Sequence, residues 1–274
     1  MSERILPRAV VISFVCVCLW GLGFKQQAAA NNFFENLSMS HLNANEFSET
    51  GFSIHESNQS NPSGQDDKKA EEVYKNIQIL KGIPASRVMG AMGFFARSLG
   101  VKCDHCHVQG QNEKDEKPAK LAARKMYALV RFAQEKGAKN ASCFMCHAGQ
   151  VKPEPAPFLA KENMDALMAE AEKDKRPAEQ AFKNIQIFKG VTAGRVKMTM
   201  QLFTKSLGVQ CSHCHVQGDF SKDDNPAKQT ARGMLTMAGG IAKDFFNGQM
   251  TITCYTCHKG QAKPVAFPPQ RQGN

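Results

Sequence analysis

At 274 residues the chain is long enough for one or two domains and too short for a larger multidomain array. Ten cysteines would suit a disulfide scaffold in a small secreted protein, but eight of them fall in four C-x-x-C-H runs, which excludes that reading. The formal charge of +10 at pH 7 invites a nucleic-acid partner, and the chemistry of the four runs removes that need, as shown below.

The first thirty residues have the layout of a secretory signal. Arg4 and Arg8 precede the apolar run from Ala9 to Phe24, and Ala28, Ala29 and Ala30 form a small-residue cleavage site. Cleavage after Ala30 is expected, with an uncleaved leader serving as a membrane anchor as the alternative, because the run is nearly long enough to span. Cys16 and Cys18 follow Val15 and Val17 rather than small residues, which argues against a lipid-anchored cysteine. No later segment reads as a membrane span. Residues 31–70 are rich in Asn, Ser, Gln and Glu without apolar periodicity, and read as a disordered polar spacer in which His41 and His55 are solvated.

From Glu71 the chain repeats itself. Tyr74-Lys75-Asn76-Ile77-Gln78-Ile79-Leu80-Lys81-Gly82 returns as Phe182-Lys183-Asn184-Ile185-Gln186-Ile187-Phe188-Lys189-Gly190, a shift of 108 residues. Ser98-Leu99-Gly100-Val101 returns as Ser206-Leu207-Gly208-Val209, and Pro118-Ala119-Lys120 as Pro226-Ala227-Lys228. Residues 71–157 and 179–274 are therefore two copies of one module, joined by a charged, helix-prone connector at 158–178 after Pro153, Pro155 and Pro157. The tail after Pro264 is proline-rich and is expected to lie over the surface.

Three helices are predicted in each module, so the fold class is mainly α. The first runs from Glu71 to about Leu80 and stops at Gly82. The second starts near Pro84 and carries Val88, Met92, Phe95 and Leu99 on one face, mirrored by Val196, Met200, Phe203 and Leu207. The third starts at Pro118, with Ala119, Ala122, Ala123, Met126, Leu129, Val130 and Ala133 as its stripe. Ala227, Ala231, Met234, Met237 and Ile241 mirror it, and small residues around one Met leave room for a flat macrocycle. Duplication of every helix predicts that each half folds around its own cofactors.

The four runs are Cys103-Asp104-His105-Cys106-His107, Cys143-Phe144-Met145-Cys146-His147, Cys211-Ser212-His213-Cys214-His215 and Cys254-Tyr255-Thr256-Cys257-His258. Two thiols one helical turn apart suit thioether bonds to the vinyl groups of one haem, and the adjacent imidazole can take its iron. A zinc ribbon or redox dithiol would leave the four following histidines unexplained. The cofactors are therefore four covalently bound haem c groups, held by Cys103, Cys106, Cys143, Cys146, Cys211, Cys214, Cys254 and Cys257, with His107, His147, His215 and His258 on the irons.

Haem also answers the charge. Residues 1–30 hold Arg4, Arg8, Lys25 and Glu3, so their removal leaves +8. Each haem with ionised propionates contributes about −1 when ferric and about −2 when ferrous, so four haems bring the chain to about +4 oxidised and near neutral reduced, and the basic residues are expected to balance propionates. Arg87, Arg124, Arg195 and Arg232 recur between halves as candidates for propionate pairing. His105 and His213 are further candidates.

An iron that only carries electrons needs a sixth ligand, and the histidines run out. Of eight, four are spent in the motifs, two lie in the spacer, and His105 and His213 are turned from their own iron by the attachment geometry. Methionine remains. Met92 lies 11 residues before Cys103 and Met200 lies 11 before Cys211, while Met126 and Met234 form an equivalent pair on the third helices. These four are the candidate ligands against core filling, with Met89, Met198 and Met237 as nearby alternatives.

The runs Asn-Ile-Gln-Ile-x-Lys-Gly, Ser-Leu-Gly-Val-x-Cys-x-x-Cys-His-Val and Pro-x-Lys-x-x-x-Arg-x-Met, with Thr253 to Gly260, resemble the tetrahaem cytochrome subunit of photosynthetic reaction centres over about residues 71–266. The resemblance implies two related two-haem halves with Met from a preceding helix as the usual sixth ligand, and it points to Met92, Met126, Met200 and Met234. Family members in reaction centres place a ligating histidine between the third helix and the second motif of the first half. Residues 127–142 contain none, so His/Met ligation is expected at all four sites. The function expected is periplasmic or cell-envelope electron transfer between redox proteins, with a membrane-bound electron-transfer complex as a possible partner. A structural subunit of a larger conducting assembly is the alternative, and a haem peroxidase or reductase is disfavoured because every iron has a candidate ligand.

Overall fold

The structure is a computed structural model that describes residues 68–269, all within one compact unit. The expected leader and most of the polar spacer lie outside the described residues. Nine α-helices are assigned there: α1 Ala70–Val73, α2 Val88–Leu99, α3 Pro118–Glu135, α4 Cys143–His147, α5 Lys161–Ala171, α6 Ala178–Ala181, α7 Ala193–Leu207, α8 Pro226–Phe245 and α9 Cys254–His258. No sheet forms among these residues. Isolated bridges repeat instead, Lys69 to Pro84 and Pro177 to Thr192 in one position, Val108 to Gln111 and Val216 to Asp219 in another.

The long helices start and stop where backbone chemistry requires. Pro118 and Pro226 open α3 and α8, where a missing N–H costs nothing. Gly100 and Gly208 close α2 and α7 in the left-handed region at φ 65° and 63°. The predicted first helix is corrected to the single turn of α1. After Tyr74 the chain turns back at Asn76, φ 60°, and Asn184 repeats this at 59°. Asparagine tolerates that conformation, and its amide donates to the Asp115 carboxylate at 2.9 Å. The apolar residues Ile77, Ile79 and Leu80 thus belong to a loop that folds onto the first core cluster, made by Ala70, Leu80, Ile83, Val88 and Ala91.

The stripe read on α2 is rotated from the packed face. Val88, Ala91, Phe94 and Ser98 are buried, whereas Phe95 and Leu99 turn to the large internal cavity described below, as Met200, Phe203 and Leu207 do on α7.

The halves pack on one another. Helices α3 and α8 pack on one another around a second cluster of Ala133, Ala141 and Ile241, flanked by Phe132 and Phe245 with ring centroids 5.7 Å apart. The tail crosses back to the first half: Phe267 meets Phe94 at 6.1 Å and the Ser142 hydroxyl donates to the Ala266 carbonyl. The two halves thus share a core, because α3 and α8 cover one another as well as their own modules.

Candidate functional site

The second and fourth motifs form one-turn helices, and the others form tighter 3₁₀ turns at Cys103–His105 and Cys211–His213. Ser142 caps α4 by accepting from Met145 N, and Thr253 with Thr256 forms a capping box on α9. Both helices end in left-handed residues, Ala148 and Lys259, after which the chain meets the ends of α2 and α7. There Gly149 N donates to Ser98 O and Gly260 N to Ser206 O, each at 2.9 Å. A methyl group on Gly100 or Gly208 would stand 2.0 or 2.1 Å from the carbonyl oxygen of Gly149 or Gly260. Glycine is required at both latches by φ and by contact distance together.

All four motif imidazoles are oriented alike. Nδ1 bonds a backbone carbonyl: His107 to Asn112 at 3.0 Å, His147 to Gln150 at 3.1 Å, His215 to Phe220 at 3.1 Å and His258 to Gln261 at 3.0 Å. A ring that donates from Nδ1 keeps the Nε2 lone pair for a metal. Burial lowers the His147 pKa.

The eight motif cysteines are unbridged. Burial pushes the Cys143 thiol up to about 11. Cys146 and Cys257, from different halves, lie within hydrogen-bond reach of each other; that bond, then burial, raises Cys146 well above the ordinary range. A thioether carries neither charge nor titrating proton, so attachment suits these apolar positions.

A cavity of about 1970 Å³ runs between the halves, larger than a pocket for one small molecule. The second, third and fourth motifs line it, with Met126, Met200 and Met234, and only His105 and Cys106 of the first motif reach it. Phe95, Ala122 and Leu129 face it as a distal apolar wall, while Val88 is buried in the core. Met92 does not line it and packs half-buried on the first core cluster. Of the alternatives, Met89 is 66% exposed, Met198 is buried, and Met237 lines the cavity and joins the shared core. Thiol pairs beside imidazoles with free Nε2, facing apolar space of this size, fit covalently bound haem.

Three of the four recurrent arginines have protein partners. Arg124 grips Asp115 with two bonds of 2.8 and 2.9 Å, Arg232 meets Asp223 at 3.0 Å, and Arg195 meets Glu172 at 3.3 Å. Arg87 is exposed. Arg124 with Lys120, and Arg232 with Lys228, hold the two aspartate carboxyls well below the usual range. Arg124 and Arg232, candidates for propionate pairing, thus form ion pairs inside the loop after the first motif of each half. These aspartates and Asn76 and Asn184 were not singled out in the sequence, although all lie at the 108-residue shift.

Fold and site together define a c-type cytochrome, a helical frame whose Cys-x-x-Cys-His turns present thiols and imidazole to apolar space. The chain belongs to the photosynthetic reaction centre cytochrome C subunit family, whose model matches residues 26–167 and again 156–271, one match over each half. It is 22% identical over 249 residues to the photosynthetic reaction center cytochrome c subunit of Thermochromatium tepidum, covering 72% of this chain and 61% of that protein. The subunit of Rubrivivax gelatinosus is 22% identical over 72% of this chain and 68% of its own length. Cytochrome c-554 of Chloroflexus aurantiacus is 32% identical over a shorter stretch, 27% of this chain and 20% of that protein. The chain thus spans about three fifths of the Thermochromatium relative.

Proposed function

We propose that the protein is an exported electron carrier holding four haem c groups, each through two thioethers and the Nε2 of its motif histidine. The observation that carries this reading is the shared imidazole geometry, with Nδ1 committed to a backbone carbonyl in all four motifs. Bound haem supplies one-electron exchange between ferric and ferrous iron. The chain's own part is to fix the rings, exclude water with apolar walls, and bring the second and fourth motifs together across the halves at Cys146 and Cys257. Met92, Met126, Met200 and Met234 are assigned as sixth ligands, three of them supported by their place on the cavity wall. For Met92 the support is its repeat equivalence to Met200. Family membership supports a periplasmic or cell-envelope location, with a membrane-bound redox complex as one partner and a second redox protein as the other.

Each Met→Ala variant is expected to lose about a quarter of the near-infrared Met-to-ferric-iron absorbance and to lower one reduction potential. Near-infrared spectra of the four purified single variants check this. An unchanged spectrum for any one transfers that ligand role to another residue.

A further inference from the structure

Lys120 and Lys228 are buried, which is uncommon for lysine without compensation. Each ammonium is caged by three successive backbone carbonyls of the loop after the first motif of its half. Lys120 donates to Asn112, Glu113 and Lys114 at 2.9, 3.0 and 2.8 Å; Lys228 donates to Phe220, Ser221 and Lys222 at 3.0, 3.0 and 2.7 Å. Asp115 and Asp223 complete the cages at 2.9 Å. The first carbonyl of each cage, Asn112 or Phe220, is also the acceptor of the motif imidazole, His107 or His215. One oxygen therefore joins a fixed cation to the ring that faces the iron. His147 and His258 use Gln150 and Gln261, to which no side chain donates among the described residues.

We propose that Lys120 and Lys228 are positioning residues that raise the potentials of the haems at the first and third motifs relative to those at the second and fourth. Two effects act in the same direction. A carbonyl already engaged by an ammonium accepts less strongly from Nδ1–H, so the imidazole donates less electron density to the iron and the ferric state loses support. A unit positive charge two hydrogen bonds from the ring also favours the form of the site carrying less positive charge, the ferrous one. The aspartate opposes the second effect, and Arg124 or Arg232 balances that aspartate, leaving each cage one net positive charge. This inference rests on the four-haem reading.

The test uses the full holoprotein, with haem content measured before redox titration. Lys120→Met is expected to lower one of four potentials by about 59 mV, a tenfold rise in the ferric-to-ferrous ratio at that haem. Lys228→Met should do the same to a different haem. Asp115→Asn, isosteric and able through its one remaining oxygen to accept from Asn76, Lys120 and one nitrogen of Arg124, is expected to move the first-motif haem the other way. A merely loosened loop would lower the potential in both kinds of variant, and that outcome, or unmoved potentials with four haems present, overturns the inference. Should Lys120→Met fail to mature, Asp115→Asn alone decides: a rise supports the cage and any other result contradicts it. Fewer than four haems in the parent protein would instead fail the carrier reading itself.

Discussion

Residues 71–157, produced alone in a strain that attaches haem c, are expected to aggregate, whereas residues 31–274 mature as soluble holoprotein. The separation uncovers Phe132 and Ala133 on α3, which lose Ile241, Phe245 and Met237 of α8, and it strips Phe267 from Phe94. Full burial of one large apolar side chain is worth about 1.5–3 kcal/mol, so even partial exposure of this group forfeits on the order of 5 kcal/mol. That matches the whole stability of a small domain, about 5–15 kcal/mol. It also leaves Cys146 without the Cys257 helix against it. Solubility and haem content of the half-chain, compared with the full chain, measure this; a soluble two-haem half would show that the shared core is dispensable.

Gly100→Ala and Gly208→Ala are each expected to destabilise the protein by about 2–5 kcal/mol, a large effect for one methyl group. A residue with a Cβ held at φ near +65° costs about 1–3 kcal/mol. The new carbon must also displace a backbone carbonyl 2.0–2.1 Å away, breaking the bond from Gly149 to Ser98 or from Gly260 to Ser206. Because that bond ties a haem-binding turn to the end of α2 or α7, the loss is expected to show twice: as a lower denaturation midpoint and as a shift in the methionine absorbance of the same half. Alanine at Gly110, where nothing lies within 4 Å of the added carbon, is the matched control for the φ strain alone. Equal effects at Gly100 and Gly110 would remove the latch from the account.

The parts legible in the sequence are those set by local chemistry. Cys-x-x-Cys-His spacing fixes its own turn, Pro118 and Gly100 mark helix ends, and the 108-residue shift pairs the elements from α1 to α3 with their copies. Ile77, Ile79 and Leu80 misled the helix boundary because their apolar spacing carries no trace of the left-handed turn at Asn76. The stripe of Met92, Phe95 and Leu99 has helical period, but period alone does not tell a face packed on protein from one turned to a cavity, and α2 has both. Arg124 read as propionate-binding and Lys120 was given no role, because their partners, Asp115 and three carbonyls, come together only when the loop closes. The packing of α3 on α8 was hidden for a related reason: Phe132 is far in sequence from Ile241 and Phe245, and each has an ordinary place within its own half.

The central claim is that every Cys-x-x-Cys-His turn carries its own covalent haem. Intact mass spectrometry after acid-denaturing extraction tests it most directly, since thioether-bound haem stays with the polypeptide. The account predicts one species heavier than the chain by four haem masses, with the signal residues 1–30 removed. A homogeneous product carrying two or three haems would contradict it, because at least one motif histidine would then present Nε2 to no iron.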